Sequence, residues 1–112
     1  MKFNINNING VVVKEDDRYV VKDNSFLKSL IVSSTNLNPG KKTSGHRHAG
    51  QEEVYFFVSG SGTMIIDGEY YSEFSVTAGD VVLIPDGAFH QVINDSLDKL
   101  YFVCVFNGNR TI

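Results

Sequence analysis

Residues 53–72 read EVYFFVSGSGTMIIDGEYYS, and this stretch decides the fold class. Short runs of aromatic and β-branched residues alternate with Gly-containing turns, the composition of pleated strands rather than helices. Asp67-Gly68 lies between the runs 63–66 and 69–72. Both residues tolerate positive φ, so a two-residue type I′ hairpin turn is expected there. Gly60 and Gly62 bracket the preceding turn and are expected to need the same freedom. Working outward, similar runs stand at 11–13, 19–21, 30–35, 81–84, 90–94 and 99–106. Turn residues separate them, among them Asn38-Pro39-Gly40, Ala78-Gly79-Asp80, Pro85-Asp86-Gly87 and Asn94-Asp95-Ser96. No window of a dozen residues carries the apolar stripe of an amphipathic helix. The expectation is an all-β antiparallel sandwich or barrel.

A chain of 112 residues makes one domain, taken as 1–112, since two halves would each be too short to bury a core. Ten Lys and Arg against thirteen Asp and Glu give a net charge of −3, which argues against a nucleic-acid surface. No apolar run approaches the roughly 20 residues that span a bilayer. The Asn-rich residues 1–10 lack the apolar centre of a signal peptide. A cytoplasmic protein that binds neither nucleic acid nor membrane is expected. The single cysteine, Cys104, sits in an apolar run and reads as an inert buried thiol. In the run 53–59, Tyr55 and Phe57 give one apolar face and Val54, Phe56 and Val58 the other. A strand facing water on one side would alternate apolar and polar. A homodimer formed by sheet-on-sheet packing would cover the second face; strands 11–13 and 19–21 of the same chain are the alternative cover.

The three histidines are His46, His48 and His90. In a strand, side chains at i and i+2 share a face, about 6.6 Å apart along the axis. His46 and His48 so placed can lean onto one ion. Glu53 follows five residues after His48, and the Gly45, Ala49 and Gly50 around the pair allow the chain to turn it back. Glu52 points to the opposite face by strand alternation and reads as a solvated or interface residue. His90 follows the turn Pro85-Asp86-Gly87. A single histidine is more often a surface or hydrogen-bonded core residue than a ligand. Here none is left over, and each lies beside a turn at a strand end. Three imidazoles and a carboxylate suit Fe, Mn, Ni, Co, Cu or Zn.

These residues resemble the cupin superfamily. Gly40, His46, His48, Glu53 and Gly60 match its first motif, with four residues between His48 and Glu53. Gly79, Pro85, Gly87, His90 and Asn94 match the second at every position. Eighteen residues separate the two motifs, as in small cupins. The resemblance implies a small jelly-roll-type β-barrel in which His46, His48, Glu53 and His90 bind one divalent transition metal. Asn94 is expected to stabilise a turn with Asp95 and Ser96 rather than touch ligand.

Four protein ligands on an ion that accepts six leave two positions for water, substrate or oxygen, the mark of a catalytic site. Tyr55, Phe57 and Ser59 share the face of Glu53, while Lys42 and Ser44 share the parity of the histidine pair. With all three histidines committed to metal, none is free as a general base. Tyr55 and Lys42 are the candidate catalytic residues, Lys42 also as an attractor of anionic substrates. Three readings follow. The first is a metal-dependent oxygenase of dioxygenase type, which needs open sites more than a protein base. The second is a sugar-phosphate isomerase or epimerase, or a lyase, using the ion as Lewis acid. The third is a non-catalytic small-molecule binding module.

Overall fold

Nine strands form within residues 1–108, the part of the chain that this computed structural model describes; residues 109–112 of the expected domain lie outside the described residues. They are β1 (Val11–Glu15), β2 (Tyr19–Asn24), β3 (Leu30–Leu37), β4 (Glu53–Ser59), β5 (Ser61–Asp67), β6 (Tyr71–Thr77), β7 (Val81–Ile84), β8 (Phe89–Ile93) and β9 (Leu100–Asn107). One sheet has six strands in the order β1-β2-β3-β9-β4-β7, and the other three in the order β6-β5-β8. All strand pairs are antiparallel, and no helix occurs among the described residues. The fold is an all-β, jelly-roll-like barrel, as expected.

The small sheet has an irregular fourth member. Residues 40–46 run antiparallel beside β8, with Gly40 N donating to Asn94 O (2.8 Å) and Thr43 N to Val92 O (2.9 Å). His46 and His90 then exchange both backbone bonds, at 3.1 and 3.0 Å. Gly45 at φ 73° interrupts this segment, so it never becomes a regular strand.

The core lies between the sheets. Leu37, Met64 and Leu100 are wholly buried there. In β4, Glu53, Tyr55 and Phe57 are buried inward, while Val54, Phe56 and Val58 are half-buried outward. Ser59, expected on the inner face, is exposed, because the register with β9 shifts between Phe57 and Ser59. The outward face is partly covered by the start of the chain. Phe3, Ile5 and Ile8 face Val32, Phe56 and Val105. Tyr101 Oη donates to Ile5 O at 2.8 Å, and Asn24 Nδ2 to Ile8 O at 2.6 Å. Strands β1 and β2 do not supply that cover; they extend the six-stranded sheet at its edge.

Two turns differ from expectation. Asp67 pairs with Tyr71, so the β5–β6 connection has three residues, and neither Asp67 nor Gly68 has positive φ. No type I′ turn forms, and β6 starts and ends later than 69–72. Gly68 instead lies close to Ala88, whose Cβ a side chain there would meet at 3.2 Å. Gly60 does have positive φ (87°). Gly62 does not; it lies inside β5, where a Cβ would meet the carbonyl of Ile93.

Candidate metal centre

Glu53 opens β4 and His90 is the second residue of β8, so strand alternation alone sends both inward. They are 5% and 3% exposed. Glu52, one residue earlier, is exposed, as the parity argument requires. His46 is opposite His90 in the reciprocal backbone pair, the arrangement that brings cross-strand side chains together. Their ring centroids are 4.6 Å apart. The loop beyond His46 is tied to the turn before β8. Gly87 N donates to His48 O at 3.2 Å, and Asp86 Oδ1 accepts from Gly50 N (2.6 Å) and Gln51 N (3.2 Å).

His46, Glu53 and His90 each offer one ligand atom, and these atoms lie within 4.8 Å of one another. His90 Nε2 is 2.8 Å from Glu53 Oε2, yet it is buried without a hydrogen bond of acceptable geometry. His90 Nδ1 lies 3.2 Å from Ala88 O; a proton on Nδ1 donates there and leaves the Nε2 lone pair free to face the centre. Burial works to raise the Glu53 pKa, but the His90 imidazole beside it and the charges of His46 and His48 outweigh burial and hold it below the ordinary carboxylate value. A convergent, ionised N/O set with an orphaned imidazole nitrogen fits a divalent transition ion. His48 is brought beside this set rather than into it. Its ring centroid is 4.6 Å from that of His46, and it lies outside the group of three.

The centre opens on a cavity of about 300 Å³ whose walls include His46, Glu53, Tyr55, Phe102 and Phe106. Tyr55 stacks on Phe102 (centroids 5.3 Å, 16° between planes) and meets His90 edge-on at 5.8 Å. Burial, followed by Cys104 and the Glu53 charge, pushes the Tyr55 phenol well above its ordinary value. Tyr55 therefore stays neutral, and its hydroxyl can donate a hydrogen bond but is a weak acid. Lys42 is exposed, pairs with Ile93 through the backbone, and is not among the residues lining the cavity. Thr43 and Ser44 both line the cavity, so strict alternation does not hold in this segment and the parity that linked Lys42 to the histidines fails. Ser44, of the same parity, does line the cavity and accepts from Arg18 at 2.7 Å. Cys104 also lines the wall, buried as expected. Asn94 behaves as expected, accepting from Ser96 N and Oγ and donating to Leu37 O and Asp98 O.

A whole wall went unread in the sequence. Lys14, Tyr19, Asp23, Ser33 and Thr35 of β1, β2 and β3 line the same cavity. The period-two series Tyr19, Val21, Asp23 and Ser33, Thr35, Leu37 carries that signal.

The Cupin domain family matches residues 33–106. MJ1618, an uncharacterized protein of Methanocaldococcus jannaschii, is 29% identical over 97 residues, 77% of this chain and 75% of that protein. The 5-aminosalicylate 1,2-dioxygenase of a Comamonas species is 34% identical over 76 residues, 68% of this chain and 19% of that enzyme. Among solved structures, the oxalate decarboxylase of Bacillus subtilis, studied for its Mn(II) centres, superposes with a TM-score of 0.81 at 22% identity over 90% of this chain and 28% of the enzyme's. The chain thus spans only a small part of the dioxygenase and the decarboxylase.

Proposed function

Because the chain belongs to the cupin family, we propose that its barrel holds one divalent transition-metal ion and acts there on a small organic acid, by dioxygenase-type chemistry. His46, Glu53 and His90 would hold the ion, with His48 completing the set. The observation that carries this reading is the convergence of one ligand atom each from His46, Glu53 and His90 within 4.8 Å, with Glu53 and His90 buried. When bound, the ion supplies an open coordination position and redox or Lewis-acid chemistry.

The protein's own groups do the rest. The Ala88 carbonyl orients His90 through Nδ1. Tyr55, Phe102 and Phe106 form an apolar wall that keeps water from one side of the site. Tyr55, a neutral phenol whose ring meets His90 edge-on, can offer a hydrogen bond but is a weak acid. None of these wall residues is a ready base, and Asp23, the other carboxylate on the cavity, stands three strands away from Glu53, which favours oxygen chemistry over proton abstraction. The dioxygenase relative supports the same choice. The Tyr55 phenol also supports a second reading, lyase or decarboxylase chemistry, in which it would donate a hydrogen bond to developing negative charge. Metal analysis of freshly purified protein, then oxygen uptake with aminosalicylates and with oxalate, tests both. Stoichiometric iron with oxygen consumption is expected. Manganese or zinc with carbon dioxide release and no oxygen uptake would favour the second reading. Ligand binding with neither would leave a binding module.

We further propose that the protein is a homodimer joined through the outer face of the six-stranded sheet. Val81 and Leu83 of β7 are 57% and 70% exposed beside the half-buried Val54 and Phe56, at the margin of the N-terminal cover, where Ile5 lines one pocket with Phe56 and Val81. Light scattering at micromolar concentration should give twice the chain mass of 12.4 kDa; a monomer would refute it.

A further inference from the structure

The inner face of the six-stranded sheet is continuous from the metal centre to the edge at β1. Cα partners place Tyr55, Cys104, Ser33 and Asp23 in one row across β4, β9, β3 and β2. This row is next to the one that carries Glu53. Thr35 lies in the row beyond, beside Phe102 and Val21. Asp23, Ser33 and Thr35 all line the cavity.

These three groups are unusually short of donors. Thr35 is 6% exposed, and its hydroxyl has no hydrogen bond to any described residue. Ser33 is 4% exposed and spends its one hydrogen on Lys22 O at 3.2 Å, leaving lone pairs toward the cavity. Asp23 is half-buried and forms no ion pair or side-chain hydrogen bond with any described residue. Lys14, the basic residue on this wall, pairs with Val21. Its ammonium stands 5.5 Å over the Tyr19 ring, on the side of Val21 away from Asp23. A carboxylate, a hydroxyl that can only accept, and an uncommitted hydroxyl form an acceptor-rich pocket.

We infer that this wall is a subsite for a protonated primary amine at the far end of a metal-chelating ligand. An ammonium brings three donors and the charge that Asp23 lacks. Asp23 stands three strand spacings across and two residues along from Glu53, roughly 16 Å between backbones. Both side chains line the one cavity, so a ligand that joins them is a substituted ring with an arm. The inference rests on the metal reading above and narrows its substrate class to amino-substituted chelators.

The test uses zinc-loaded protein, which is redox-inert, and three catechols that differ only at the end of a two-carbon arm: dopamine, ethylcatechol and dihydrocaffeate. Zinc content is measured first, binding by calorimetry second. Dopamine should bind at least about tenfold more tightly than ethylcatechol, the scale of a charge-assisted hydrogen bond. Asp23→Asn should erase that preference and leave ethylcatechol binding unchanged. Thr35→Val should weaken dopamine alone, by a few-fold. Equal binding of dopamine and ethylcatechol, tighter binding of dihydrocaffeate, or a preference that survives Asp23→Asn overturns the inference. Zinc-loaded protein that binds none of the three also overturns it, while the metal reading stands. Protein that takes up no zinc, iron or manganese overturns both.

Discussion

The two halves of the metal centre are built differently. Glu53 and His90 stand on regular strands, buried, Glu53 between ladders with β7 and β9 and His90 in a ladder with β5. His46 and His48 stand on a loop, one exposed and one half-buried. That loop is held by one reciprocal backbone pair, by Gly87 N on His48 O, and by Asp86 on Gly50 and Gln51. Strand residues inherit their direction from packing that the whole core enforces. Loop residues inherit theirs from a few local bonds. The strand half is thus preorganised before any ion arrives, and the loop half is where affinity and access can be tuned.

Ligand replacement should break this comparison most visibly. Glu53→Ala and His90→Ala should each cut metal affinity by more than the roughly 100-fold that outer-sphere changes reach. His48→Ala should cost less, because His48 lies beside the convergent set and not within it. Competition against a graded series of chelators gives the order directly. Equal losses at His48 and His90 would mean that the loop half is as well placed as the strand half.

Asp86 sharpens the comparison, since it never reaches the ion. Asp86→Ala removes the acceptor of two backbone donors that shape the loop leading to Glu53. About tenfold weaker metal binding is expected, with little change in melting temperature. Asp86→Asn keeps a carbonyl oxygen at the same place and should recover most of the loss. A spectroscopic probe of cobalt-loaded protein would show whether coordination geometry changes with it. An unaltered affinity in Asp86→Ala would show that the loop needs no such tie.

Much of this was legible in the chain. All nine apolar runs contain or overlap a strand, because β-branched runs between turn residues leave few alternatives. Glu53 was separable from Glu52 because β4 is regular and alternation is strict within it. Parity failed where the backbone is not regular. Thr43 and Ser44 both line the cavity while Lys42 does not, so alternation counted back from His46 misplaces Lys42. Asp67-Gly68 was read for its permissive φ, whereas the structure uses Gly68 for close approach to Ala88. The far wall of Tyr19, Asp23 and Thr35 was invisible for another reason. Its residues meet the metal centre only because six strands line up side by side, and strand order is not written in local spacing.

Gly45→Ala probes the loop half through its backbone. Alanine at φ 73° costs about 1–2 kcal/mol, and its Cβ would stand 2.6 Å from Cζ of Phe89, so that ring must move. A fall in melting temperature of roughly 5 °C is expected, together with a few-fold loss of metal affinity through the adjacent His46. A stable variant with normal affinity would mean that the left-handed residue is not what delivers His46.

The smallest effect is expected at Glu52. It neighbours the most buried carboxylate of the site but is itself exposed, and it forms no ion pair with any described residue. Glu52→Ala should leave metal content and affinity within error of the parent protein and change stability by less than about 0.5 kcal/mol. Measured beside Glu53→Ala, it isolates what one step along a strand is worth. The two residues share charge and almost share position, and differ only in which side of the sheet they face. A metal loss at Glu52 comparable to that at Glu53 would mean that the carboxylates exchange places in solution, and that β4 does not hold its first residue in a single register.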